Sequence, residues 1–247
     1  MKFDVLTLFP EMIQGACSHS ILSRAVERGI IEVKTINPRD FSTDKHKKVD
    51  DTPFGGGAGM VLMCQPYFNA FDSIKKDENT EVILLSPQGK TFNQEISKEL
   101  AQKKHIVLLC GHYEGFDERI KIYTKAREVS LGDYVLTGGE LPALCLIDSI
   151  SRNIEGCLGN MDSSHNDSFS DGLLEHPHYT KPREYMGMPV PDVLVEGNHA
   201  LIDEWRRKQQ IAATYKKRRD LFEKFEKRCN NKRDLKLLNE FKSENPK

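Results

Sequence analysis

Three short stretches hold the residues best suited to chemistry: "LLSPQGK" (84–90), "LLCGHYEGFDER" (108–119) and "GDYVLTGGE" (132–140). Each sets glycine, which lets backbone approach a ligand or another chain segment closely, beside side chains that hydrogen-bond or carry charge. Each also lies at or soon after an apolar run. In open α/β sheets ligands bind beyond the carboxyl ends of the strands, where loops expose backbone donors and acceptors, so three such loops can form one pocket. Singly they say little: Ser-Pro-Gln-Gly is ordinary turn chemistry, and the acids of "GHYEGFDER" suit a helix cap. A fourth stretch, "PFGGGAGM" (53–60), has four glycines in eight residues. It has neither the Gly-Lys-Ser/Thr of a P-loop nor G-x-G-x-x-G, and it follows the polar "RDFSTDKHKKVDDT", so it reads as a flexible loop.

The elements that must position these loops alternate in type. "FDVLTLF" (3–9), "GIIEVKTI" (29–36), "EVILLS" (81–86) and "HIVLLCG" (105–111) are apolar enough for strands buried on both faces. "PEMIQGACSHSILSRAVERG" and "TFNQEISKELAQKK" have helical spacing, the second ending in lysines that suit a helix C-terminus. "SLGDYVLTGGELPALCLIDSISR" (130–152) begins like a short strand, breaks at Gly138 and Gly139, and runs on as an apolar-periodic segment through Pro142. This alternation predicts an α/β fold with a mainly parallel sheet. "GNMDSSHNDSFSDG" (159–172) is polar and reads as a linker, and the helical periodicity beyond it predicts a small helical domain. The expected organisation is residues 1–159, a linker over 160–172, and a helical domain over 173–247.

Composition narrows the function. With 247 residues and 38% hydrophobic content, the chain can bury a core. No run reaches the roughly 18 to 20 apolar residues of a membrane span, and the start "MKFDVLTLFP" lacks the features of a signal peptide, so a cytoplasmic protein with no membrane partner is expected. Six scattered cysteines without CxxC spacing point to neither a zinc site nor a disulfide framework. The net charge of −1 hides an asymmetry. From Trp205 to Lys247 there are fifteen Lys or Arg against six Asp or Glu, which leaves the preceding residues at about −10. That basic end is either a solvated helical surface or a face that contacts phosphates.

Taken together the motifs resemble the bacterial tRNA (guanine-N1)-methyltransferases, the TrmD family of knotted SPOUT-type enzymes. The resemblance runs from "LTLFPEM" through "PRDF", "DDTPFGGGAGM", "LLSPQGK", "CGHYEGFDERI", "GDYVLTGGELPALCLIDSISR", "DSFSDGLLEHPHYTKP" and "GNHALIDEWR", to about residue 215. It implies a SPOUT-type parallel sheet with a deep trefoil knot and a small α-helical C-terminal domain that binds tRNA. It also implies S-adenosylmethionine bound in a bent form against Leu85, Ser86, Pro87, Gly111, Tyr113, Glu114, Leu131, Gly132, Tyr134, Leu136, Gly138, Gly139 and Pro142. On this reading Gly138 and Gly139 clear room for an adenine or ribose.

The implied reaction methylates N1 of the guanine at tRNA position 37, 3′ of the anticodon. That nitrogen carries a proton at neutral pH, so a base must take it and a donor must steady charge growing toward O6. By resemblance these are Asp167 in "DSF" and Arg152. The family is magnesium-dependent, and Glu114 and Asp167 offer oxygens, but no dedicated metal site is expected. The family is homodimeric, so Asp167 is expected to act across the interface. His46, Lys47, Asp50 and the Tyr179–Arg183 stretch resemble segments near the tRNA. His112 stands where some relatives have Arg, and Glu175 where others have Asp. Three rival readings fare worse. A knotted methyltransferase for another RNA target would not need "DSFSDGLLEHPHYTKP", and a non-catalytic RNA-binding protein of the same fold would not need Asp167 and Arg152. A nicotinamide dehydrogenase would carry its glycine fingerprint.

Overall fold

The structure is a computed structural model that describes residues 1–158 and 167–244. It divides into two units, Met1–Met161 and Asp162–Lys247. Residues 160–166 of the expected linker lie outside the described residues, and 167–172 form turns and bends.

In the first unit the elements follow in the order β1 (Lys2–Leu6), α1 (Pro10–Cys17), α2 (Ser20–Glu27), β2 (Glu32–Ile36), β3 (Asp50–Asp51), β4 (Val61–Leu62) and α3 (Cys64–Asp72). Then come β5 (Glu81–Thr91), α4 (Gln94–Leu100), β6 (His105–Leu109), α5 (Glu118–Thr124), β7 (Arg127–Ser130) and α6 (Glu140–Ser151). Five strands form one sheet in the order β2-β1-β6-β5-β7, all parallel. The expected mixed α/β architecture with a parallel sheet is therefore present.

Side-chain alternation along the strands builds a core on each face. Phe3, Val5, Ile83, Leu85, Ile106 and Leu108 pack with Ile13, Ile96, Ala143, Leu146 and Ile150 on one side. Leu6, Leu84, Val107 and Leu109 pack with Tyr67, Phe71 and Ile120 on the other. Helices α1, α4 and α6 thus cover one face, and α3 and α5 the other.

Local chemistry sets the helix boundaries. Pro10 occupies the first turn of α1, where its missing N–H costs nothing. The stretch with helical spacing over 10–29 forms two helices, separated at Ser18 and His19. Asn93 caps α4 by accepting from Ile96 N, and Asp117 caps α5 by accepting from Arg119 N. The strand expected to open the 130–152 segment lies earlier, ending at Ser130, and residues 131–139 are irregular.

The second unit holds a short hairpin, β8 (Glu184–Tyr185) with β9 (Met188–Pro189), then α7 (His199–Lys217), α8 (Arg219–Arg228) and α9 (Lys232–Glu244). Asn198 caps α7. Leu173, Ile211, Phe222, Phe225, Leu237 and Leu238 form its own core.

Candidate active site

Strands β6, β5 and β7 are neighbours, and the loops at their carboxyl ends surround one cavity of about 390 Å³. The first wall arises from an interruption of β5. Leu85 and Lys90 both stand opposite Val129 of β7, so residues 86–89 are displaced from the ladder. Ser86, Pro87 and Gln88 line the cavity from that displaced segment, and Ser86 Oγ accepts from Gln88 N at 3.1 Å. Gly89 returns the chain to the sheet so closely that a Cβ there would lie 2.4 Å from Val129 N.

The second wall is the 110–117 loop after β6. Tyr113 takes a left-handed φ of 59°, uncommon for a residue with a side chain, and Gly115 follows at 114°. Residues in such conformations cluster where loops are over-determined by their surroundings. Here the surroundings are the β3–β4 hairpin: Glu114 N donates to Met60 O at 3.0 Å, Leu62 N to Gly115 O at 2.9 Å and Asp117 N to Leu62 O at 3.0 Å. The glycine-rich 53–60 stretch is the turn of that hairpin. Gly55, Gly56, Gly57 and Gly59 all take positive φ, and Gly59 lies against the Glu114 carboxylate. Its glycines therefore serve a specific turn and a contact with the cavity wall.

The third wall is 131–142. Gly139 N donates to Gly111 O at 2.8 Å, and His112 pairs across an isolated bridge with Gly138. A Cβ on Gly138 would lie 2.3 Å from the His112 ring, and one on Gly139 would lie 2.6 Å from Cys110 Cα. The space these glycines leave is taken by protein, a different physical reason from the ligand clearance expected from sequence.

Beneath this turn lies a buried polar network. Glu140, only 1% exposed, accepts from the Thr7 hydroxyl at 2.6 Å and is 2.6 Å from His112 Nε2. Thr7 Oγ1 in turn accepts from Phe9 N at 2.9 Å, and the Phe9 and His112 rings pack at 4.7 Å. Both carboxylate oxygens thus have partners, as buried polar atoms require. The network ties β1, the 110–117 loop and the start of α6 together. Nearby, burial pushes the Cys110 thiol and the Tyr67 phenol well above their usual ranges, so both are neutral packing groups. Tyr67 donates to Cys110 O at 3.3 Å.

Of the residues expected to bind a cofactor, the cavity wall contains Leu85, Ser86, Pro87, Gly111, Tyr113, Glu114, Leu131, Tyr134, Leu136, Gly138, Gly139 and Pro142. Gly132 is not in the wall. It turns the chain at φ 153°, where a Cβ would lie 3.0 Å from the Tyr134 ring. Arg152 caps the far end of α6, its N–H donating to Asp148 O. Asp167 belongs to the second unit, where its carbonyl accepts from Ser170 N. His46 and Lys47 lie in an exposed turn organised by Asp44, and Asp50 stands in β3.

Sequence reasoning missed His112, Glu140 and Thr7 as one unit, and also Gln88, Val135 and Thr137 in the wall. The only signal for Glu140 was an acid directly after Gly-Gly, which reads equally well as a helix-dipole acid. Among the described residues no group of three or more His, Cys, Asp or Glu could hold a metal ion.

This arrangement offers a half-open cleft lined by both apolar and polar groups, suited to a small molecule that has both. The comparisons with known proteins agree in placing it. The model of the family described as tRNA (Guanine-1)-methyltransferase TrmD matches residues 1–224. A tRNA (guanine-N(1)-)-methyltransferase of Staphylococcus epidermidis RP62A is 60% identical over 225 residues, 91% of this chain and 92% of the relative. Relatives with the same name from Staphylococcus carnosus and Staphylococcus aureus JH9 are 58% and 55% identical over the same shares. The chain belongs to the tRNA (guanine-1)-methyltransferase family and is a methyltransferase.

Proposed function

We propose that this protein transfers a methyl group from S-adenosylmethionine to N1 of the guanine at position 37 of tRNA. The observation that carries the reading is the convergence of three strand-end loops on one cavity in a chain of this family. The cavity volume lies within the roughly 300–1,000 Å³ of small-molecule sites. Leu85, Pro87, Leu131, Leu136 and Pro142 offer apolar surface for an adenine and ribose, and Glu114 suits the positive charges of the methionine end. When bound, the donor supplies a methyl group activated by its sulfonium. In this reading the three loops belong to a deep trefoil knot.

The chain's own residues do the rest. Asp167 removes the proton from guanine N1, work typically worth about 10² to 10⁴ in rate. Arg152 donates to O6 and steadies the charge that grows there, worth about 10² to 10³. We place them in one site through a homodimer, with the first unit of one subunit facing the 160–172 segment and helical unit of the other. Bringing the base on a separate segment lets bound RNA complete the site. The basic helical stretch from Trp205 onward grips the anticodon stem through its phosphates. The setting is the cytoplasm, and among the described residues no helix is long and apolar enough to cross a membrane.

The test uses labelled S-adenosylmethionine and two tRNA transcripts that differ only in guanine or adenine at position 37. The expected result is labelling of the guanine transcript alone, reduced about 10²- to 10⁴-fold in Asp167→Ala. Equal labelling of both transcripts would move the target elsewhere in the RNA. Undiminished labelling by the variant would remove Asp167 as the base.

A further inference from the structure

The second unit carries an aromatic cluster that its core does not use. That core is Leu173, Ile211, Phe222, Phe225, Leu237 and Leu238, with Tyr215, Cys229 and Phe241 packed against it. Trp205, the chain's single tryptophan, is outside this set and half-buried on α7. His176 and Tyr179 flank it, with ring centroids 6.4 and 6.3 Å from the indole, and His178 lies 4.6 Å from His176. Interplanar angles of 46°, 59° and 57° make all three contacts tilted and none of them stacked. Phe68 and Tyr123 in the first unit behave differently, stacking at 4.1 Å and 18° so that each occupies the other. Tyr179 is 49% exposed and the His178 side chain 64%. Glu175 Oε1 holds His178 Nε2 at 2.8 Å, which fixes that ring in place.

Large aromatic groups usually go to a core or an interface, because that is where their area stabilises anything. Here partly exposed rings have cations close by in the sequence: Lys181 and Arg183 follow Tyr179, and Arg206 and Lys208 follow Trp205, with Arg183 paired to Asp192, Arg206 to Asp203, and Lys208 to Glu204 and Glu240. Cations that track a backbone, beside rings on which bases stack, are the means by which proteins hold unpaired nucleic acid. Paired bases are excluded, since their faces are already stacked within the helix.

We propose that His176, His178, Tyr179 and Trp205 form a stacking platform for an unpaired base of the RNA substrate. The proposal rests on the tRNA reading above and adds a subsite in the second unit, made of residues that do not line the cavity of the first.

Trp205 is its own reporter, because tryptophan emission from the full-length protein comes from this residue alone. With no methyl donor present, a tRNA transcript is expected to quench that emission, and a fully paired RNA duplex of equal length, at equal occupancy, is not. Tyr179→Leu keeps apolar bulk but has no π-face, and is expected to weaken tRNA binding about 5- to 150-fold at fixed salt. Tyr179→Phe should bind like the wild type. Absence of quenching at saturating tRNA, or equal quenching by the duplex, would overturn the platform. So would Tyr179→Leu binding as tightly as the wild type, or losing binding only together with its melting temperature. Methyl transfer is scored separately: protein that methylates without quenching loses the platform, and protein that quenches without methylating loses the proposed reaction.

Discussion

Gly138 is glycine because His112 and Glu140 fill the space where its side chain would be. Gly138→Ala must push the imidazole from the carboxylate or shift the turn, and overpacking of this kind costs about 1–3 kcal/mol. We expect a melting temperature lowered by several degrees and weaker binding of S-adenosylmethionine, read by calorimetry; a variant unchanged in both would show that the turn yields freely. Glu140→Ala goes further, because it strips the Thr7 hydroxyl and His112 Nε2 of their shared buried partner. Leaving buried hydrogen-bonding groups without a partner costs about 1–3 kcal/mol, and denaturant unfolding should show a loss in that range. At this scale the sequence marked where glycines sit but not what they sit against. The three residues of the network are 133 and 28 positions apart along the chain, and such distances become contacts only through the sheet order.

The strand elements were legible because both faces of the sheet are covered, so apolar runs at 81–86 and 105–111 had no rival interpretation. Their ends were not. Nothing in "LLSPQGKT" reveals that β5 resumes its pairing at Lys90 after leaving it at Leu85, since that return depends on the backbone of β7. Gly89 makes the return, and the atoms a Cβ would strike belong to Val129 and Glu128 backbone, which cannot rotate away. Gly89→Ala is therefore expected to destabilise the first unit by about 1–3 kcal/mol and to disturb the Ser86–Gln88 wall, lowering donor affinity in the same titration. Helix α5 offers a pH test. Paired hydrogen bonds from the Arg119 guanidinium at 2.9 and 2.6 Å hold the Asp117 carboxyl well below the usual carboxylate range. Its pKa is lower folded than unfolded, so the contribution is complete above the unfolded value of about 3.9 and is lost as pH falls toward the folded one. Asp117→Ala should cost about 0.5–2 kcal/mol near neutrality through the lost cap. The gap between variant and wild-type melting temperatures should close as pH drops below about 4, and a gap that persists there would assign the effect to packing.

Across the whole molecule, charge and cavity are segregated. Every residue lining the cavity falls within the first unit, which has its own two-sided core, whereas the basic surplus falls after Trp205 in the second. Separate cores make separate folding the expected behaviour. A chain of residues 1–158 should therefore bind S-adenosylmethionine with an affinity within about tenfold of the intact protein, a difference under about 1.4 kcal/mol. Its tRNA binding should differ in kind. Each phosphate contact neutralised by Lys or Arg releases counterions, so the logarithm of affinity falls with the logarithm of salt in proportion to the number of contacts. The intact protein should show a steep slope despite its net charge of −1, because local surplus, and not the total, sets the contacts. The shortened chain, which lacks the basic helices and has a formal net charge of −3, should bind tRNA weakly with a shallow slope. If both chains gave the same steep slope, the phosphate-contacting face would have to lie on the first unit, and the basic helices would be solvated surface. If the shortened chain lost the donor as well, the cavity would depend on the second unit for its form.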